Sequence, residues 1–240
     1  LDGSGKLVRV AVLQVLAPAT VTGIVATLTP SLTALPPRLL YLNRCAIVGC
    51  QVFRGIDDSR SNRSSIVPGT RTIAPFDRGE PAFNALVACM RAQFQRYNVD
   101  ITTVDPGNTA HFEMMLGGLP SAIDFEQGVL GVAPWAGGPL IPNAIAFTFA
   151  AQPFHDDPFE LCVTTAHEAG HLMGLDRQFI AADHMSYLGA PEKSFVDATA
   201  SCGEYSPRPC TFGRTQNTHQ RLRFTVGPRP LVFGDGFENV

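Results

Sequence analysis

A glutamate between two histidines four residues apart, His167-Glu168-Ala169-Gly170-His171, is the part of this chain best equipped for chemistry. On a 3.6-residue helix, positions four apart are offset by only about 40°, so both imidazoles leave one face and can grip a single ion. Zinc suits such a pair, and it lowers the pKa of a water it holds to about 7. Glu168 projects beside the histidines and is placed to take that proton, turning the water into a nucleophile for a peptide carbonyl. Other chemistries have less support. The serines from Ser59 to Ser65 lack a Gly-x-Ser-x-Gly elbow, and the chain shows no phosphate-binding glycine loop and no CxxC pair. His155-Asp156-Asp157 suggests a second cation site, but it precedes a helix, where capping accounts for Asp157 and solvation for the rest. His111 and His219 stand without a carboxylate or cysteine at ligand spacing, which makes them structural or exposed. Asn62-Arg63-Ser64 is a formal glycosylation acceptor.

The helix that must carry the motif has clear limits. In Asp157-Pro158-Phe159-Glu160 the aspartate can cap, the proline fits the first helical position, and the glutamate three residues after the cap completes a capping box. Gly174 is its natural stop. Upstream, Phe83, Leu86, Val87, Met90, Phe94 and Tyr97 stack one apolar stripe along a helix predicted over Pro81–Tyr97. Strands are predicted over Arg38–Asn43, Val99–Val104, His111–Leu116 and Ala144–Ala150, with a further one around Val129–Val132. The polar run Gly55–Ser65 reads as a surface loop. One helix, several strands and a second helix point to α+β layers rather than a doubly wound sheet.

Past the second histidine the chain continues Leu172-Met173-Gly174-Leu175, and Met185-Ser186-Tyr187 begins eleven residues after that glycine. On these residues, most strongly over Thr164–Tyr187, the sequence resembles the metzincin metallopeptidases. The resemblance implies a twisted, mostly parallel sheet of about five strands with two long helices, the second ending at Gly174, and a C-terminal helical subdomain. It further implies that Met185 is the methionine of a Met-turn beneath the metal and that Tyr187 touches the metal or the tetrahedral intermediate. A third ligand should stand three residues after Gly174. Arg177 occupies that place, and a guanidinium cannot be deprotonated to bind a cation. His184, the nearest spare imidazole, is the expected replacement, ahead of Asp176, Tyr187 and Glu192; a packed or solvent-facing histidine is the alternative. The expectation is a secreted zinc endopeptidase with His167, His171 and His184 on Zn2+, Glu168 as general base and Tyr187 assisting the oxyanion. Substrate would lie extended along an edge strand, Gly128–Trp135. The alternative is a metzincin-like binding domain, catalytically impaired because Arg177 repels the ion and pairs with Glu168 or Asp176.

Six cysteines form an even set, which favours disulfides and export. Cys202 with Cys210 and Cys45 with Cys50 can each close a short loop, leaving Cys89 with Cys162. In the metzincin arrangement that last pair would staple the two helices together; two free buried thiols are the alternative. A formal charge of −3 and a pI near 6.1 leave no basic footprint for nucleic acid or for electrostatic membrane attachment. At 45% hydrophobic over 240 residues the chain can bury a sizeable core. Residues 1–37 are expected to be a leader, pro-segment or linker, with the apolar stretch Ala11–Leu28 too interrupted to span a membrane. Residues 38–226 form the metallopeptidase-like domain and 227–240 a tail. The expected partner is a protein or peptide substrate, and the expected state a monomer.

Overall fold

The computed structural model describes residues 36–230. The expected leader over 1–37, save its last two residues, and the tail beyond residue 230 lie outside the described residues.

In chain order the strands are β1 (Arg38–Asn43), β2 (Cys50–Arg54), β3 (Arg63–Ser64) and β4 (Arg71–Ile73). Helix α1 (Gly79–Phe94) follows, then β5 (Val99–Thr102), β6 (His111–Leu116), β7 (Gly131–Val132) and β8 (Ile145–Thr148), and finally α2 (Pro158–Leu172) and α3 (Thr218–Thr225). The architecture is α+β. A mixed five-stranded sheet has the order β5-β1-β6-β8-β7, parallel except for the antiparallel edge strand β7. A smaller sheet, β3-β2-β4, forms a second layer.

The central strand β6 is buried along its whole length, as a strand covered on both faces must be. Its side chains alternate between two cores. Phe112, Met114 and Leu116 meet α1 and α2, whose Phe83, Leu86, Met90, Leu161 and Ala166 share the same cluster. Met115 faces the other way and joins Val52 and Ile73 of the small sheet. Cys89 and Cys162 bridge α1 to α2, while Cys45–Cys50 and Cys202–Cys210 close short loops, so no cysteine is free among the described residues. No described helix is long and apolar enough to cross a membrane.

Two sequence expectations need correction. Tyr97 lies beyond the end of α1, yet it is fully buried, with its hydroxyl 2.8 Å from His219 Nδ1. The polar run Gly55–Ser65 is not a free surface loop, because it contains a 3-10 turn at Ser59–Ser61 and strand β3. Ser59 is buried there, donating from Oγ to the His111 carbonyl at 2.7 Å. Polar side chains hid this strand, since its pairing uses backbone groups that any residue carries.

Helix α2 begins and ends on local signals. The Asp157 carboxylate accepts from the Phe159 N–H at 2.8 Å, with Pro158 in the first turn. At the other end Gly174 turns left-handed, φ +87°, and its N–H bonds the His171 carbonyl while Leu175 N–H bonds that of Gly170. This paired closure needs a residue that tolerates positive φ, hence the glycine.

Candidate metal centre

Helix α2 is buried from Leu161 to Leu172, so its histidines and glutamate sit in a largely desolvated setting. His167 and His171 face each other with Nε2 atoms 3.1 Å apart and rings nearly perpendicular at 86°. Each ring is anchored by its other nitrogen. His167 Nδ1 donates to the His184 carbonyl at 2.9 Å, and His171 Nδ1 donates to the Leu175 carbonyl at 2.8 Å. A carbonyl only accepts, so both Nδ1 atoms carry the proton and both Nε2 atoms of the neutral rings present bare lone pairs. Two lone pairs at this distance repel unless positive charge lies between them. Burial holds the His171 pKa down at about 4, with the Arg177 charge adding to it. Burial, then His171 itself, pushes His167 well below its usual value. A shared proton is therefore disfavoured at neutral pH, and a divalent cation is what the pair fits.

Glu168 is buried beside them, and burial raises its pKa to about 8 against the opposing pull of Arg177. The edge strand β7 passes directly over it. A Cβ on Gly131 would come within 2.7 Å of Glu168 Cγ and 2.9 Å of Thr164 Cγ2, so only glycine permits this approach. Gly170, between the two histidines, serves the same purpose underneath, where an added Cβ would lie 2.5 Å from Met185 Sδ. Met185 is thus packed against the helix at the motif itself.

The turn carrying Met185 is pinned by Asp183, a buried carboxylate the sequence reading passed over. It accepts from Met185 N–H at 2.8 Å, Val196 N–H at 2.9 Å and Thr218 Oγ1 at 2.5 Å, tying the turn to the start of α3. Its signal was an Asp two residues before the methionine, the spacing of an Asx-turn. Tyr187 is half-exposed, its ring 5.6 Å from that of His167.

The structure does not bring the His184 ring to the pair. His184 takes part through its carbonyl, while its imidazole lies 5.0 Å from the Phe195 ring with both nitrogens buried and without a partner among the described residues. Arg177 instead lies near the histidines. Its guanidinium sits 5.2 Å over Tyr187 and donates to Glu204 at 3.2 Å, not to Glu168 or to the Asp176 carboxylate. Asp176 accepts two bonds from Arg208, at 2.8 and 2.9 Å, and Glu192 is exposed. Among the described residues no third His, Cys, Asp or Glu atom joins the pair within 4.8 Å. The one such three-residue cluster, Asp176 with Cys202 and Cys210, offers no thiolate because its cysteines are bonded to each other.

The remaining histidines are structural. His155 is buried, bonding the Phe149 carbonyl at 2.9 Å and Thr164 Oγ1 at 3.0 Å, and Asp156 pairs with Arg78. No family model and no curated protein matches this chain.

Proposed function

We propose that this chain is a secreted zinc-dependent endopeptidase of metzincin type, with His167 and His171 as metal ligands and Glu168 as general base. The observation that carries this reading is the opposed pair of bare Nε2 atoms 3.1 Å apart, each ring fixed by a carbonyl on its far nitrogen. His167 and His171 would hold the zinc, which when bound would supply Lewis acidity, bringing the pKa of a water toward about 7. Glu168, beneath Gly131, is the residue that would hold and pass on a proton there, and a cation on the histidines would supply the positive charge that keeps its buried carboxylate ionised for that role. Tyr187, its ring 5.6 Å from that of His167, is the donor for a developing oxyanion in this reading. An extended peptide pairs with the outer edge of β7, directly above the glutamate. Three disulfides are compatible with export.

A second reading, a peptide-binding domain that does not cut, is favoured by the Arg177 cation near the pair and by the His184 ring turned toward Phe195. Metal analysis of the purified protein with a casein-type cleavage assay separates the two. The enzyme reading expects about one zinc per chain, retained in Glu168→Gln without cleavage and lost in His167→Ala. Folded parent protein with neither zinc nor cleavage supports the binding reading, and equal cleavage by parent and Glu168→Gln refutes Glu168 as the base.

A further inference from the structure

At the C-terminal end of α2 lies a pocket of about 160 Å3 lined by Trp135, Phe212, Gly174, Asp176, Gln220 and Arg221 among others. The Trp135 ring lies 6.3 Å from that of His171, so the pocket adjoins the metal centre. Trp135 is 38% exposed and Phe212 53%, leaving aromatic surface that the fold itself does not cover. The Phe212 wall is held from behind. Phe212 packs so tightly on Gly138 that a Cβ there would overlap its ring, and the Arg221 guanidinium lies 5.1 Å over its face. Arg221 in turn donates to the carbonyls of Gly174 and Gly138, fixing the pocket to the glycine that ends the catalytic helix.

We propose that this pocket receives an aromatic side chain of a peptide lying along β7, which makes the protein selective for aromatic residues on the amino-terminal side of the bond it attacks. The inference rests on the peptidase reading of the centre. Size fits, because a cavity of about 150 Å3 accommodates benzene. Aromatic walls favour an aromatic guest through ring stacking beyond simple burial. Lysine and arginine are rejected by the Arg221 charge, and the one carboxylate in the lining, Asp176, is already spent on Arg208. An acidic side chain gains little, since the Nε and Nη2 donors of Arg221 are committed to backbone carbonyls and two aromatic faces replace its water. Direction follows from the strand. Gly131 lies over Glu168, and Trp135 comes four residues later in the chain. A peptide in antiparallel pairing with β7, the stronger arrangement per residue, runs the other way, so the residue reaching Trp135 precedes the one above Glu168.

Trp135 is the chain's sole tryptophan, so at constant zinc its emission reports on a guest in this pocket. Zinc-loaded Glu168→Gln protein, which is expected to keep its metal without cleaving, is titrated with end-blocked alanine-rich hexapeptides carrying one Phe, Lys or Glu. The Phe peptide should shift Trp135 emission and bind about tenfold more tightly than the other two. Phe212→Ala should bring all three within about twofold at unchanged zinc content, and the exposed substitution Gln220→Glu should raise affinity for the Lys peptide. Equal affinities in the Glu168→Gln protein, absence of binding, or a Phe preference that survives Phe212→Ala overturns the proposal while the metal reading stands. A Phe preference in protein that takes up no zinc leaves the pocket and refutes the metal reading.

Discussion

Alanine at Gly174 is expected to damage both the stability of the protein and the zinc binding proposed for it. The residue sits at φ +87°, where an L side chain costs about 1–2 kcal/mol. A Cβ there would also lie 2.2 Å from the Gly138 carbonyl oxygen and 3.2 Å from Leu140 N, both backbone atoms that cannot rotate away. Opening that contact belongs with overpacking, about 1–3 kcal/mol. Together they give about 3 kcal/mol, which for a chain of this size lowers Tm by about 6–12 °C. Gly107→Ala isolates the first contribution, because Gly107 also has positive φ, +57°, with nothing within 4 Å of its Cβ among the described residues. It should lose only about 1 kcal/mol. The functional consequence runs through Leu175, the next residue, whose carbonyl orients His171. Displacing that carbonyl should weaken zinc binding by about 10–100-fold in Gly174→Ala and leave it unchanged in Gly107→Ala. Thermal unfolding followed by circular dichroism, with zinc titrations on both variants, measures the two effects. Gly174→Ala matching Gly107→Ala in Tm refutes the clash, and matching it in zinc affinity refutes the link from helix end to ligand.

Replacing Cys89 and Cys162 together by alanine opens a loop of 73-residue separation and should cost about 4 kcal/mol in urea unfolding, against about 2 kcal/mol for Cys45 and Cys50 at a separation of 5. Equal losses would refute the loop-length account. Burial raises Glu113 from 4.5 to about 7, with the Asn43 side chain donating to it at 2.7 Å and pulling the other way. A carboxyl raised in the folded state contributes stability that is full below its unfolded pKa and lost as pH rises through the folded one, here about 3 kcal/mol between about pH 4.5 and 7. Glu113→Gln should therefore match the parent near about pH 4 and exceed it near about pH 8, and parallel stability profiles would exclude this. Arg177→His should tighten zinc about a hundredfold by offering a neutral imidazole where a cation now stands, whereas His184→Ala should change affinity less than about twofold. Metal lost from His184→Ala would show that its ring, not its carbonyl, serves the site.

Which features were legible in the sequence follows from the range of the interactions behind them. Asp157-Pro158 and Gly174 announce the two ends of α2 because helix ends must satisfy backbone groups within a few residues. β1 and β6 were legible from their residues at full length, and α1 from its apolar stripe. The small sheet β3-β2-β4 was not, since Arg54, Arg63 and Arg71 mask strands that are short and apolar on one side only. The His-Glu-x-x-His spacing likewise set both imidazoles on one face of a helix before any tertiary contact was known. Whether His184 offers that pair its ring or its carbonyl depends on a turn that Asp183 folds, and the contact crosses 17 residues. Arg177 beside the histidines, Gly131 over Glu168 and Met185 under Gly170 arise in the same way, from chain segments that meet only when the sheet and helices pack. Local spacing thus determined which side chains share one face of α2, and packing decided which atoms of their neighbours face them.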